Sequence, residues 1–166
     1  MTMRRLGIAS AAAVLFAAGC AMKKPPVSEP CVIVMKTPKW RFADTGYVRT
    51  GEGVAELEAF EAGVRVLRLQ VDDAVCVEGE GCLDRAAFNR RFLAADYPPD
   101  TLYRLLRREP IFARRNLVRT PAGFTQHIVS DRYDIVYRVE GKALYFKDRK
   151  NRILIKLKPI KEHDDV

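Results

Sequence analysis

Histidine is scarce in this 166-residue chain, which has only His127 and His163. Neither has a serine or cysteine at the spacing that nucleophilic catalysis uses. Cys76 and Cys82 have no histidine nearby and no obvious fourth ligand, which argues against zinc. A phosphate-cradling glycine loop is also lacking: Gly79 and Gly81 have neither the following lysine nor the helix start that such a loop needs. Asp72 and Asp73 are adjacent, and neighbouring strand positions point to opposite faces, so the pair reads as a turn and not as an acid/base couple. These absences predict a protein that is not an enzyme and uses no cofactor and no metal. The apolar run after Arg5 is also short for a membrane span, which needs about 20 apolar residues.

What is present starts at the N-terminus. Arg4 and Arg5 precede an apolar segment that ends in Leu15-Phe16-Ala17-Ala18-Gly19-Cys20. Charged, apolar and small-residue regions in that order read as a secretory signal. The ending resembles the lipobox of bacterial lipoproteins, with Ala17 where leucine is usual. That resemblance implies lipid attachment at Cys20, with palmitate-like acyl chains, and loss of the signal peptide 1–19. Ala21, where an aspartate would retain the protein in the inner membrane, implies an outer-membrane anchor facing the periplasm. The other readings are an ordinary signal peptide or an uncleaved short anchor. Residues 20–30 then form a Pro-rich tether, in which Pro25, Pro26 and Pro30 favour extended backbone. Lys23 and Lys24 would sit beside anionic head groups.

About 135 residues remain for one domain, 31–160, with a frayed tail at 161–166. The net charge of +8 keeps its sign when Arg4 and Arg5 are removed. A secreted, anchored chain rarely meets nucleic acid, so no nucleic-acid partner is expected. The surplus reads as a solvated surface, or as attraction to an anionic membrane or acidic partner. In an oxidising compartment, Cys76 and Cys82 are expected to form a disulfide across Val77-Glu78-Gly79-Glu80-Gly81. Pairing of Cys31 with either of them is the competing arrangement.

Hydrophobic periodicity sets the element plan. Val32–Met35, Thr45–Arg49, Val54–Phe60, Val64–Val71 and Ala74–Val77 read as strands. Asp84 caps a helix over about Arg85–Ala95, in which Phe88 and Phe92 are one turn apart. Asp100 caps a second helix, whose Leu102, Leu105 and Leu106 form a stripe before Pro110. Period two returns through Asn116–Arg119, Phe124–Val129, Tyr133–Val139, Ala143–Lys147 and Arg152–Pro159. The expected class is α+β: a curled antiparallel sheet, or incomplete barrel, of about seven to nine strands with two short helices on its concave face.

This order of elements resembles the lipoprotein-sorting family of the outer-membrane receptor LolB and its soluble carrier relative LolA. Phe88–Pro110, with Tyr97-Pro98-Pro99-Asp100-Thr101-Leu102, is similar to the family's helical lid. Leu144–Asp148 and Arg152–Leu157 are similar to its final hairpin. The resemblance implies a membrane-anchored protein that accepts acyl chains or lipoproteins in an apolar cavity. Its candidate lining is Leu57, Leu67, Leu69, Phe88, Phe92, Leu102, Leu106, Ile135, Tyr137 and Ile155. The receptor's protruding loop has no counterpart here, because Val71-Asp72-Asp73-Ala74 is tight and acidic. The alternative is a structural or assembly lipoprotein that binds another envelope protein. An elongated interior cavity favours the first, and dense packing favours the second.

Overall fold

Alternating apolar and polar residues at both ends of the chain become two antiparallel meanders. The computed structural model describes residues 25–160. The leader, Cys20, His163 and the tail 161–166 lie outside the described residues. The first meander comprises β1 (Val27–Lys36), β2 (Arg41–Thr50), β3 (Ala55–Glu61), β4 (Val64–Val71), β5 (Ala74–Val77) and β6 (Gly81–Asp84). The second comprises β7 (Leu117–Thr120), β8 (Gly123–Val129), β9 (Asp134–Glu140), β10 (Ala143–Asp148) and β11 (Ile153–Pro159). β1 pairs with β11, and the two meanders fuse into one eleven-stranded sheet with β6 and β7 at its ends.

Eleven strands exceed the seven to nine expected. The one strand with no matching stretch in the sequence reading is β6, at the edge. β6 combines the return of the disulfide loop with the cap of the following helix, and β7 has four residues. β1 also starts at Val27, so the last residues of the expected tether, 27–30, belong to the sheet. Pro30 is tolerated because this end of β1 has no strand partner on its β11 side. Pairing with β2 starts at Val27, whereas pairing with β11 starts only at Cys31.

Between the meanders lie α1 (Arg85–Phe88), a wide π-type turn over Asn89–Leu93, and α2 (Thr101–Leu106). Asp84 caps α1 as expected, accepting from Ala87 N–H at 2.8 Å. Asp100 does not cap α2. Its carboxylate turns aside to Arg104 one helical turn on, where it holds the guanidinium pKa above its ordinary value.

One face of the sheet is apolar across the cross-strand pairs. Val48 lies opposite Leu57, Leu57 opposite Leu69, and Leu69 opposite Val77. On the other side, Ile33 lies opposite Leu157, Met35 opposite Ile155, Ile155 opposite Phe146, and Phe146 opposite Tyr137. Gly46 marks where two strands and a side chain crowd together. A Cβ there would sit 2.2 Å from the Glu58 carbonyl oxygen and 2.4 Å from Ile33 Cδ1.

The predicted disulfide is present. Cys76 and Cys82 face each other across β5 and β6 and bridge at an S–S distance of 2.06 Å. The closed loop is small, so loop-closure entropy gives the bridge about 2 kcal/mol. Cys76→Ser with Cys82→Ser is expected to lower stability by that amount in urea titration. Edge strand β6 should lose hydrogen-exchange protection before the rest of the sheet. Cys31 has a free, buried thiol, and burial raises its pKa to about 11.

Candidate functional site

The ten candidate lining residues converge, because period two places six of them on the inner sheet face and helical spacing places four on the helical segment. All belong to one apolar cluster with the buried residues of both meanders. The cluster is filled. Leu67 is the most accessible of the ten at 5%, and Leu57, Leu69, Phe88, Ile135 and Tyr137 are at 0%. A void wide enough for a methylene chain would leave accessible area on its walls, so these residues border no standing hollow. The surface concavities near Gly51–Val54, Cys76–Cys82 and Arg104–Arg115 are lined by other side chains. Bulky aromatic side chains occupy the space between these residues.

Trp40 is central to that filling, although sequence reasoning did not single it out. Its ring stacks on Phe92 at 4.9 Å, and Phe92 stacks on Phe88 at 4.9 Å. Tyr97 packs edge-on to Phe146, Phe112 edge-on to Tyr133, and Phe124 edge-on to Tyr137. Such pairs contribute about 0.5–1.5 kcal/mol each beyond burial.

Polar ties fix the helical segment to both meanders. Tyr97 Oη donates to Asp148 Oδ2 at 2.7 Å, and Tyr137 Oη donates to the Glu109 carbonyl at 3.0 Å. Burial, reinforced by Asp148, raises the Tyr97 pKa well above the phenol range. Burial also raises that of Tyr137. Buried Asp148 remains well satisfied, accepting also from the backbone of Asp134 and Lys150 and from Asn151 Nδ2. Arg107 donates to the Gly51 carbonyl at 2.6 Å, and Arg108 reaches Glu29 at 2.9 Å. The first of these ties engages the β2–β3 turn and the second engages β1.

Gln126, buried on β8, holds the segment's far end. It accepts from Ile111 N–H at 2.8 Å and donates to the carbonyls of Ile111 at 3.0 Å and Arg115 at 2.7 Å. Gln126→Leu would leave the buried Ile111 amide and both carbonyls without that partner. Each orphaned group costs about 1–3 kcal/mol. A loss of about 3 kcal/mol in urea titration is expected, with faster exchange of the Ile111 amide.

The same segment is the least relaxed part of the molecule. Six of the eight non-glycine residues with positive φ among the described residues lie between Ala94 and Asn116. Asn89 Oδ1 and Thr101 Oγ1 are buried without a hydrogen-bond partner. Both residues flank the Pro98 carbonyl, which accepts from Asn89 Nδ2 and from Thr101 N–H.

On the opposite face of β3, the alternation predicts an exposed Glu58, yet it is 7% exposed. Arg49, Arg65 and Arg68 surround it at 3.0–3.6 Å. His127 lies beside Asp134 at 3.5 Å. Among the described residues, no cluster of three or more His, Cys, Asp or Glu could hold a metal ion. No helix of the described residues is long and apolar enough to cross a membrane. No protein-family model matches the chain, and no curated protein matches it.

Proposed function

We propose that this chain is a non-enzymatic outer-membrane lipoprotein, anchored at Cys20 and facing the periplasm. It accepts acyl chains or lipoproteins as LolB-like proteins do; the dense packing, which taken alone favours an assembly role, is on this reading its closed state. One observation carries the reading: a sheet that does not close shares one buried apolar cluster with a short helical segment rich in left-handed backbone. Strained backbone and unpartnered buried atoms lower the cost of displacing that segment. Six candidate residues lie on the sheet (Leu57, Leu67, Leu69, Ile135, Tyr137 and Ile155), and four on the segment (Phe88, Phe92, Leu102 and Leu106). A chain inserted between the two sets would replace one apolar contact with another, at little hydrophobic cost. The sheet would then act as an incomplete barrel and residues 85–116 as its cover.

A second reading follows from the dense packing itself. A filled core needs no cargo, and the protein would then be an assembly or structural lipoprotein that binds another envelope protein through its surface. Displacement of a fluorescent fatty acid, with native mass spectrometry of the chain lacking residues 1–20, separates the two. Saturable binding, with faster hydrogen exchange in 101–116, is expected for acyl handling. A cooperatively folded monomer that binds no acyl chain and keeps slow exchange there would leave the docking reading.

A further inference from the structure

The outer face of the sheet carries arginines and lysines in both halves, but only one half is neutralised. On β2 to β4, Arg49, Arg65 and Arg68 are paired with Glu56, Glu58 or Glu78. On β2, β1, β11, β10 and β9, which are consecutive neighbours, the outward positions hold Arg41, Lys36, Lys156, Lys158, Lys147 and Arg138. The register gathers them. Lys36 lies opposite Arg41, Lys36 and Lys147 both flank Leu154, and Lys156 and Arg138 both flank Tyr145. All six are exposed. None is in an ion pair among the described residues. Arg138 and Lys156 lie 5.6 and 5.3 Å from the Tyr145 ring centre, so an amphipathic aromatic sits amid the charges. The carboxylates on this face are peripheral. Asp134 is engaged by Arg149 and His127, and Glu140 lies at the far end of β9.

We infer that this face docks on an anionic phospholipid bilayer. An array of six exposed cations without ion-paired carboxylates matches a surface of repeated single negative charges, and its attraction falls off within a Debye length. The partly exposed Tyr145 suits the head-group layer, where tyrosine's polar tip and apolar ring are both accommodated. β1 lies within the array, and the tether enters the sheet through it, so the same strand would carry the anchor and bring the charges down. The inference does not rest on acyl handling, because it uses only the face opposite the packed interior.

The test uses the full chain reconstituted with vesicles of phosphatidylglycerol and phosphatidylcholine, or of phosphatidylcholine alone. Lysines are acylated by a water-soluble reagent and read by mass spectrometry. Lys36, Lys147, Lys156 and Lys158 are expected to react about fivefold more slowly on the anionic vesicles. Lys39 and Lys142, outside the array, keep their rates. Protection should disappear at about 0.5 M salt. It should also disappear at Lys36 and Lys158 in the Lys147→Glu, Lys156→Glu variant, whose changes are at exposed positions. Equal rates on both vesicle types overturn the inference, as does protection that persists in high salt or in the variant. Protection by soluble polyglutamate without protection by anionic vesicles would also overturn it, in favour of an acidic protein partner.

Discussion

Leu106→Glu is expected to abolish the cooperative fold at pH 7. Leu106 lies on α2, 1% exposed, inside the cluster shared by both meanders. Truncating such a leucine costs about 2–5 kcal/mol before any charge is considered. A carboxyl group forced into the same site stays neutral in the fold, and its pKa rises by up to about 3–5 units. At pH 7 the penalty is that of holding the group protonated above its unfolded pKa of about 4.3, about 1.36 kcal/mol per unit, which adds about 3.5 kcal/mol. The sum, about 5.5–8.5 kcal/mol, is as large as the whole stability of many domains, about 5–15 kcal/mol. The sign with pH is fixed. The folded-state pKa lies above the unfolded value of about 4.3, so the charge penalty is full above the folded pKa, shrinks as pH falls through it, and vanishes below the unfolded one. Circular dichroism should therefore show partial recovery of folding near pH 4, and Leu106→Met should stay folded at both pH values. A Leu106→Glu protein that melts like the parent at pH 7 would mean that α2 already stands away from the sheet, and the closed state would be wrong.

Gly46→Val should be nearly as severe, through backbone and not solvation. The nearest obstacle to a Cβ is the Glu58 carbonyl oxygen on β3, and no rotamer change can move a main-chain atom. β2 and β3 would have to separate where Gly46 lies opposite Ala59. Ile33, which fills the space above Gly46, would be pushed from its place opposite Leu157. Overpacking typically costs about 1–3 kcal/mol, and loss of ladder bonds raises the total above about 4 kcal/mol. Urea titration should give a midpoint far below the parent's. Ile33→Ala in the same chain should recover little, because the carbonyl clash remains.

Much of the architecture was legible because it is local. The Asp84 cap and the bridge of Cys76 to Cys82 depend on residues a few positions apart, and both are present. The ten candidate residues were legible as a group because period two and helical spacing both report which side of an element is apolar. What they enclose was not legible. Whether an apolar face lines a hollow or fills one depends on the volume brought from elsewhere, and Trp40 arrives from the β1–β2 turn. Gln126 and Asp148 were missed for a related reason. A polar residue at an inward position reads as an exception until its partners, the Ile111 backbone and Tyr97, come from distant segments. Glu58 looked solvated because the three arginines around it come from β2 and β4.

The ladder between β1 and β11 has a consequence for the order of events in folding. Ten of the eleven strands can be made by a ribosome before the pairing that unites the sheet is available, since Ile33 must await Leu157. Contacts of such sequence separation slow folding, because the entropy of closing the chain is lost before the contact forms. Each meander can zip locally before that contact forms. The chain thus keeps its defining contact for the last stage of emergence from the ribosome.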